Sequence, residues 1–292
     1  MRKLISILLL AFVAMPFINA QDAEETQDFF QGVDGLYKKE HIANKKYIPY
    51  KHVREADVLW MKTIWRIIDL REKQNLPLYY PTTPVDSRRS LIRLIYDAAS
   101  INDIQLYSTS ENDEFSKRME FDDFAAKLGA TAAFDTVMED INTGEMKTVH
   151  MEASEGNLTG VQKYLIKEVW YFDRRYSYMD SRIIGICPIL EQQVGEGEGA
   201  RFDQIQLCWI YFPDLRPFLS QQEVYNTRND AQRESMDDIF HKRHFSSYIF
   251  KEANVYDNRS ITMYASGRVD TRLESERIKE LIFTKEHDMW EY

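Results

Sequence analysis

The sequence predicts an α+β fold that mixes helices with antiparallel strands. Some segments repeat their apolar residues every three or four positions, as helices do, and others are rich in aromatic and β-branched residues, as strands are. The glycine-rich segment 194–201, VGEGEGAR, suits the tight turn of a hairpin between two such strands. The two patterns do not alternate with the rhythm of a parallel βαβ sheet, so they indicate the α+β class.

The first predicted helix lies within segment 54–81, READVLWMKTIWRIIDLREKQNLPLYYP. Four of its apolar residues recur at steps of three, four and three, which predicts one apolar face of a helix. These residues are Val58, Met61, Trp65 and Ile68. Pro77 is expected to end the helix because it has no N–H to donate.

Three further elements are predicted before residue 160. Segment 90–100, SLIRLIYDAAS, has the apolar spacing of an amphipathic helix. Segment 104–107 is expected to be the strand that follows it. Asn142, Thr143 and Gly144 lie between two mixed segments and predict a hairpin turn.

From residue 164 the pattern changes. Segment 164–173 leaves both helix and strand open, and its aromatic and β-branched residues favour a strand. Segments 182–190 and 204–212 are also predicted to be strands. Pro213 and Pro217 are then expected to break the run.

These elements divide the chain into an extended N-terminal arm, 21–50, and two α+β halves, 51–160 and 161–292. The second half regains helical patterns over 230–245 and 272–285, so a C-terminal helix is expected.

A degenerate duplication of the two halves is an open alternative. A Trp, Asp and Pro of the first half recur in the same order in the second, although the first Trp lies in a predicted helix and its counterpart in a predicted strand. The residues are Trp65, Asp69 and Pro81, echoed by Trp170, Asp173 and Pro188.

The first twenty residues are typical of an export signal. Arg2 and Lys3 precede an apolar run of about ten residues, and a cleavage position after Ala20 would leave Gln21 as the mature N-terminus. An uncleaved membrane anchor is the alternative, but the run is shorter than the roughly 20 residues that span a bilayer. The sequence therefore predicts an exported chain without direct membrane insertion.

The charge of the chain argues against two classes of partner. The formal net charge is −10, and the loss of Arg2 and Lys3 with the leader makes it −12. Nucleic-acid binding requires a basic surface, and anionic lipid headgroups likewise attract basic segments. We therefore expect neither nucleic acid nor anionic lipid as a direct partner.

Cys187 and Cys208 are the only cysteines, and they lie symmetrically about the glycine-rich turn. An antiparallel hairpin would place them opposite one another, with Cα atoms roughly 4.5–5.5 Å apart, which is within disulfide range. The alternative is a pair of buried free thiols, because a slip of one residue would separate the two side chains.

Asp237, His241 and His244 share one face of a predicted helix, so two imidazoles and a carboxylate could hold a zinc ion. The alternative is a solvated polar face on which Asp237 pairs with His241. Lys242 and Arg243 lie beside the three residues and would oppose a divalent ion. We therefore predict no metal, and no other cofactor.

The sequence contains no recognised catalytic motif. It has no G-x-S-x-G and no phosphate-binding G-x-x-x-x-G-K-[ST], and the acidic segment 195–199, GEGEG, does not fit G-x-G-x-x-G. We therefore predict that the protein is not an enzyme. An exported hydrolase with an unrecognised acidic active site remains the alternative.

Aromatic residues make up 13% of the chain, and two segments carry candidate interface anchors. Tyr and Trp combine apolar area with a polar tip and are enriched at interfaces, although most aromatic residues pack in cores. The candidates are Trp209 and Tyr211 in one segment and Trp290 and Tyr292 in the other.

Five segments in one order resemble the GldN/PorN family, periplasmic components of the gliding-motility and type IX secretion machinery. They are 54–81, 179–188 (MDSRIIGICP), 209–218 (WIYFPDLRPF), 236–261 (MDDIFHKRHFSSYIFKEANVYDNRSI) and 273–292 (LESERIKELIFTKEHDMWEY).

The resemblance implies a non-enzymatic assembly subunit of the periplasm. It implies a complex with an outer-membrane lipoprotein of the GldK/PorK type, which would hold the chain beneath the outer membrane. It also implies contact with the periplasmic region of a GldM/PorM-type motor protein and self-association into a ring.

Overall fold

The computed structural model describes residues 41–290, with gaps at 43, 86–87, 110–112, 132–133, 140–145, 152–153, 195–200, 227–228, 230 and 266. The predicted signal junction Ala20–Gln21, the turn at 142–144, the glycines of the 194–201 segment and Tyr292 lie outside the described residues. The chain divides into two units, Met1–Asn44 and Lys45–Tyr292. All the helices and strands described belong to the second unit.

Six helices are described in this unit. They are α1 (Leu76–Tyr79), α2 (Leu91–Ser100), α3 (Phe121–Lys127), α4 (Phe212–Gln221), α5 (Met236–His241) and α6 (Arg268–Trp290). Three short 3-10 turns accompany them at Glu55–Asp57, Leu158–Gly160 and Ile261–Met263.

Twelve strands are described. They are β1 (Val58–Asp69), β2 (Leu106–Tyr107), β3 (Arg118–Met119), β4 (Phe134–Glu139), β5 (Met146–Met151), β6 (Val161–Asp173), β7 (Tyr178–Val194), β8 (Arg201–Gln206), β9 (Trp209–Tyr211), β10 (Glu223–Val224), β11 (Glu234–Ser235) and β12 (Tyr248–Glu252).

One antiparallel sheet of eight strands organises the fold. Its order is β12-β1-β6-β7-β9-β2-β3, and β8 extends the hairpin with β7. The hairpins β4–β5 and β10–β11 form two small separate sheets. Antiparallel pairing beside six helices confirms the predicted α+β class. The main sheet takes strands from both predicted halves, 51–160 and 161–292.

The predicted helix at 54–81 is wrong: Val58–Asp69 is the long strand β1. It pairs with β6 from Asp69 opposite Lys163 to Val58 opposite Asp173. Its last part, Ile64–Ile68, is buried on both faces. A strand buried on both faces reads as a nearly continuous apolar run, and such a run includes residues at helical spacing by coincidence.

Two other boundaries differ from the prediction. Pro77 lies at the start of α1 rather than ending a helix, since the first helical turn needs no N–H from it. The strand run does end before Pro213, as predicted: β9 ends at Tyr211, Pro213 lies in the first turn of α4, and Pro217 lies inside that helix. The helix predicted over 230–245 is only α5, because Ser235 caps its start.

Several elements confirm the pattern analysis. The helix predicted over 90–100 is α2, whose Ser90 accepts a hydrogen bond from the Arg93 backbone N–H. Segment 164–173 lies in strand β6, and the helix predicted over 272–285 lies within α6. Strands β4 and β5 pair as the hairpin predicted about 142–144. No helix among the described residues is long and apolar enough to cross a membrane.

The main sheet has two differently covered faces. On the first, which we call the helix face, α2, α4 and α5 pack over one end in a large cluster that includes Ile68 and Ile166. Helix α6 packs over the other end in a separate cluster around Ile64. Between these two clusters lies a seam on the same face.

The opposite face, which we call the loop face, is closed by a smaller cluster that includes Trp65 and Trp209. Phe115 packs on it from a loop, and Gly185 makes room for the ring. A Cβ at Gly185 would lie 2.4 Å from the Phe115 ring, so only glycine fits there.

Candidate interaction surface

Trp209 is not the exposed anchor predicted from the sequence. It is fully buried in the cluster on the loop face, with its ring 6.0 Å from that of Phe115. The alternative weighed for these aromatics, a packed sheet core, applies to Trp209. It lies in the short strand β9 between β7 and β2, where both faces of the sheet are covered.

Tyr211, two residues later, is 38% exposed and makes an edge contact with Phe115 at 5.8 Å. Trp290 is the last residue of α6, and the position of its side chain lies outside the described part of the chain. Of the four candidate aromatics, Tyr211 is therefore the one that the structure places at a surface.

Of the two alternatives for Cys187 and Cys208, the structure shows buried free thiols rather than a disulfide. The β7–β8 register, in which Ile189 faces Gln206, would bring the two cysteines opposite each other. However, β8 ends at Gln206, and β9 pairs with β7 one residue out of that register, with Ile186 opposite Ile210.

The one-residue shift turns the two thiols to opposite faces. Cys208 packs on the helix face, in the same cluster as Ile186 of β7. Cys187 follows Ile186 in β7, so its side chain points to the opposite side and packs on the loop face. Burial raises the pKa of both thiols well above the ordinary value.

Helix α5 does not present the metal ligands considered from the sequence. Asp237 is buried and accepts two hydrogen bonds from Arg216 of α4, at 2.8 and 3.0 Å, rather than pairing with His241. His244 lies beyond the helix, with Nδ1 3.4 Å from Glu234. Within the described residues no group of three His, Cys, Asp or Glu side chains could hold a metal ion.

The start of α5 is fixed by a capping box and by the extended segment 45–51. Ser235 accepts from the Asp238 backbone N–H at 3.3 Å, and Asp238 accepts from the Ser235 backbone N–H at 3.0 Å. Lys45 donates to both side chains. Burial raises the pKa of Asp238, but the hydrogen bonds from Lys45 and Ser235 outweigh it and hold that pKa below the ordinary value.

The same extended segment lies over the buried Arg216. The guanidinium of Arg216 lies 4.5 Å from the centre of the Tyr50 ring and 5.1 Å from that of Tyr47. Burial raises the pKa of Tyr50 against the lowering effect of Arg216. This segment, most of which belongs to the predicted extended arm 21–50, thus completes the packing around the ion pair of α4 and α5.

The seam on the helix face contains charged residues that the sequence analysis missed. Glu168 of β6 is fully buried and accepts hydrogen bonds from Arg66, from Trp170 at 2.8 Å and from Arg243 at 2.8 Å. Arg243 also donates to Ser181 at 2.7 Å. The sequence does contain a signal for this site. Arg66 and Glu168 carry opposite charges, and each lies within an otherwise apolar segment.

Two elements expose large apolar side chains at neighbouring positions. The first surface is the outer face of α6, which we define by Val269 and Leu273, 71% and 63% exposed. These two residues lie on the side of the helix away from the buried Ile278 and Ile282, which pack on the sheet.

The second surface is the free edge of β1, which we define by Leu59 and Met61, 58% and 62% exposed. Strand β12 pairs with β1 only from Ile64 to Ile67. Among the described strands, the first residues of β1 therefore pair on one side, with β6. An open strand edge with apolar side chains is a template for pairing with another chain.

The family model described as "Gliding motility associated protein GldN" matches residues 53–291. The match spans every helix and strand described above. No curated protein matches the chain.

Proposed function

Because the chain belongs to the GldN family of gliding-motility-associated proteins, we propose that it is a non-enzymatic structural subunit of the gliding and type IX secretion apparatus. Membership makes the chain a component of that machinery in the cell envelope. The proposal adds the compartment in which the protein acts and the proteins that it binds. The protein acts in the periplasm, bound to an outer-membrane lipoprotein of the GldK/PorK type and in contact with the periplasmic region of a GldM/PorM-type motor protein.

The observation that carries the proposal is the outer face of α6. Two large apolar side chains, Val269 and Leu273, are exposed to solvent on a helix whose other side is fixed to the sheet by Ile278 and Ile282. A rigid helix with an apolar outer side suits docking into a groove of another protein. We assign this face to the lipoprotein partner.

Self-association into a ring needs a second surface. A ring is built from heterologous contacts, in which two different patches of the same subunit meet. The free edge of β1 lies on another element and supplies such a patch through Leu59 and Met61. A specific interface buries about 1,200–2,000 Å² in total, so neighbouring loops would contribute as well.

One form of the hydrolase alternative uses a carboxyl whose pKa burial raises, so that it can act as a general acid. The three buried carboxylates of the described part are each held by donors instead. Glu168 and Asp237 are bonded to arginines, and Asp173 accepts from the Arg175 backbone N–H at 2.8 Å. An arginine partner stabilises the ionised form, which disfavours the role of general acid. This arrangement favours the structural role.

Deletion of the gene tests the proposed function. Gliding and the secretion of type IX substrates should both be lost, while the export of unrelated periplasmic proteins stays normal. Restoring the gene with His241→Ala, at levels matched to the wild type, should restore secretion. A deletion strain that secretes and glides normally would refute the proposal.

A further inference from the structure

The seam on the helix face opens into a cavity of about 460 Å³ between the sheet and α6. Arg66 and Trp170 of the sheet line it, together with Arg243, and α6 contributes Lys279 and Glu286. Cavities of about 300–1,000 Å³ are the usual size for bound ligands. The cavity is therefore large enough to hold one or two side chains of another molecule.

The charges that face this cavity do not balance. Glu168 is a single carboxylate that is shared between two guanidiniums, Arg66 and Arg243. On the α6 side, Lys279 lies 3.6 Å from Glu276, and Glu286 adds a further carboxylate. The positive surplus therefore lies at the sheet, where two guanidiniums share one carboxylate, although the chain as a whole carries a formal charge of −10.

Arg66 is the unusual member of this group. Its side chain is 9% exposed, and its Nε donates to Glu168. Its guanidinium lines the cavity, beside that of Arg243. A guanidinium presents donors in a fork that matches the two oxygens of a carboxylate, so this wall suits such a ligand.

The apolar part of the wall indicates what carries the carboxylate. Trp170 lies under both guanidiniums, 5.8 Å from Arg66 and 5.1 Å from Arg243. Phe245, Ile282 and the exposed Phe283 complete the apolar lining. A carboxylate with an apolar or aromatic neighbour would satisfy both parts of the wall.

We propose that this cavity binds one carboxylate of a protein partner, presented beside an apolar or aromatic side chain. The inference rests on the proposed function, because an assembly subunit needs recognition sites for partner segments. The carboxylate can belong to an acidic side chain within a segment or to the end of a chain. Both place two oxygens against Arg66 and Arg243 and an apolar group against Trp170.

Calorimetric titration of the full chain tests the proposal with three peptides. Acetyl-Phe-Glu-Phe-amide carries the carboxylate on a side chain, acetyl-Phe-Phe carries it at the chain end, and acetyl-Phe-Gln-Phe-amide is the neutral control. We expect at least one acidic peptide to bind, about tenfold or more tightly than the control, because a desolvated charge-assisted pair is lost with glutamine. The acidic peptide that binds identifies the source of the carboxylate.

Substitutions on α6 provide a check that does not disturb the core. Lys279→Gln should weaken binding about two- to fivefold and Glu286→Gln should strengthen it by a similar factor, the scale of single exposed charges. Lys285→Gln and Glu280→Gln change the same charges at exposed positions that do not line the cavity, and should have no effect.

Arg243→Gln should abolish binding, with circular dichroism confirming the fold.

Equal binding of acidic and neutral peptides, or no binding of any peptide, would overturn the inference. So would equal effects of the cavity and control substitutions. These results leave the proposed function standing if the lipoprotein still co-purifies with the chain, so the two failures are distinguishable.

Discussion

Arg216 and Asp237 form a buried ion pair that joins α4 to α5, in which Nε and Nη2 donate to the two carboxylate oxygens at 2.8 and 3.0 Å. The pair explains why the face of α5 that was considered for a metal is not available to one. The carboxylate is already satisfied by a fork of matching geometry, and the rings of Tyr47 and Tyr50 cover the guanidinium.

Removing one member of this pair should destabilise the protein strongly. Asp237→Asn or Arg216→Met leaves a buried charge without its partner, so we expect a loss of about 3–5 kcal/mol in the free energy of unfolding. The double variant Arg216→Met/Asp237→Leu should lose less than Arg216→Met alone. Urea denaturation measures all three.

The exposed pair of Lys242 and Glu234, 2.8 Å apart, is the matched control. Lys242→Met should change stability by no more than about 1 kcal/mol. An equal loss from Lys242→Met and Arg216→Met would contradict the assignment of the buried pair.

The capping box of α5 should make part of the stability depend on pH. Asp238→Asn should cost about 1 kcal/mol at pH 7, the usual scale of a helix cap. Because the pKa of Asp238 is lowered in the folded protein, its ionised form stabilises the fold above the unfolded pKa of about 3.9. The difference in the free energy of unfolding between the wild type and Asp238→Asn should therefore disappear as the pH falls below that value. Denaturation curves for both proteins between neutral pH and pH 3 would show a constant difference if the idea is wrong.

The two cysteines should titrate as free thiols only when the chain unfolds. Both are buried on different faces of the sheet, and burial raises the pKa of each, so the reactive thiolate is disfavoured. The native, unreduced protein should give no reaction with a thiol reagent, and the unfolded, unreduced protein should give two equivalents. The absence of reactive thiols after unfolding would restore the disulfide.

Trp209 and Tyr211 should differ sharply when each is replaced by alanine. Trp209 is fully buried, so Trp209→Ala should cost about 3–5 kcal/mol. Tyr211→Ala loses mainly the edge contact with Phe115, worth about 0.5–1.5 kcal/mol. Thermal unfolding of the two variants compares them, and a smaller loss for Trp209→Ala would show that this strand is not packed as described.

Elements whose local signals agree with one another could be predicted from the sequence. The Ser90 cap and the apolar stripe of α2 agree with each other, and both define the same helix. Segment 164–173 was ambiguous in period, and its aromatic and β-branched residues decided correctly for a strand. These signals depend on neighbouring residues alone, so a single sequence contains them.

The failures arose where distant residues decide the structure. The last part of β1 is buried on both faces because helices cover one face of the sheet and the cluster of the loop face covers the other, and no local period reveals that burial. The cysteine prediction depended on a single register, which the shift between β8 and β9 changes by one residue. Arg66 and Arg243 meet at Glu168 from positions far apart in the chain, so spacing alone could not bring them together.

We propose above that the chain is an assembly subunit held by an outer-membrane lipoprotein. Affinity purification of the chain from detergent-solubilised envelopes is the most direct test of that association. The wild-type chain should co-purify with a lipoprotein of the GldK/PorK type, identified by mass. Val269→Glu combined with Leu273→Glu should abolish co-purification, because both residues lie on the outer face of α6. Ile101→Glu, at a residue 69% exposed outside α6, should not affect it. A wild-type chain that never associates with the lipoprotein, and instead turns over a defined substrate, would contradict the account.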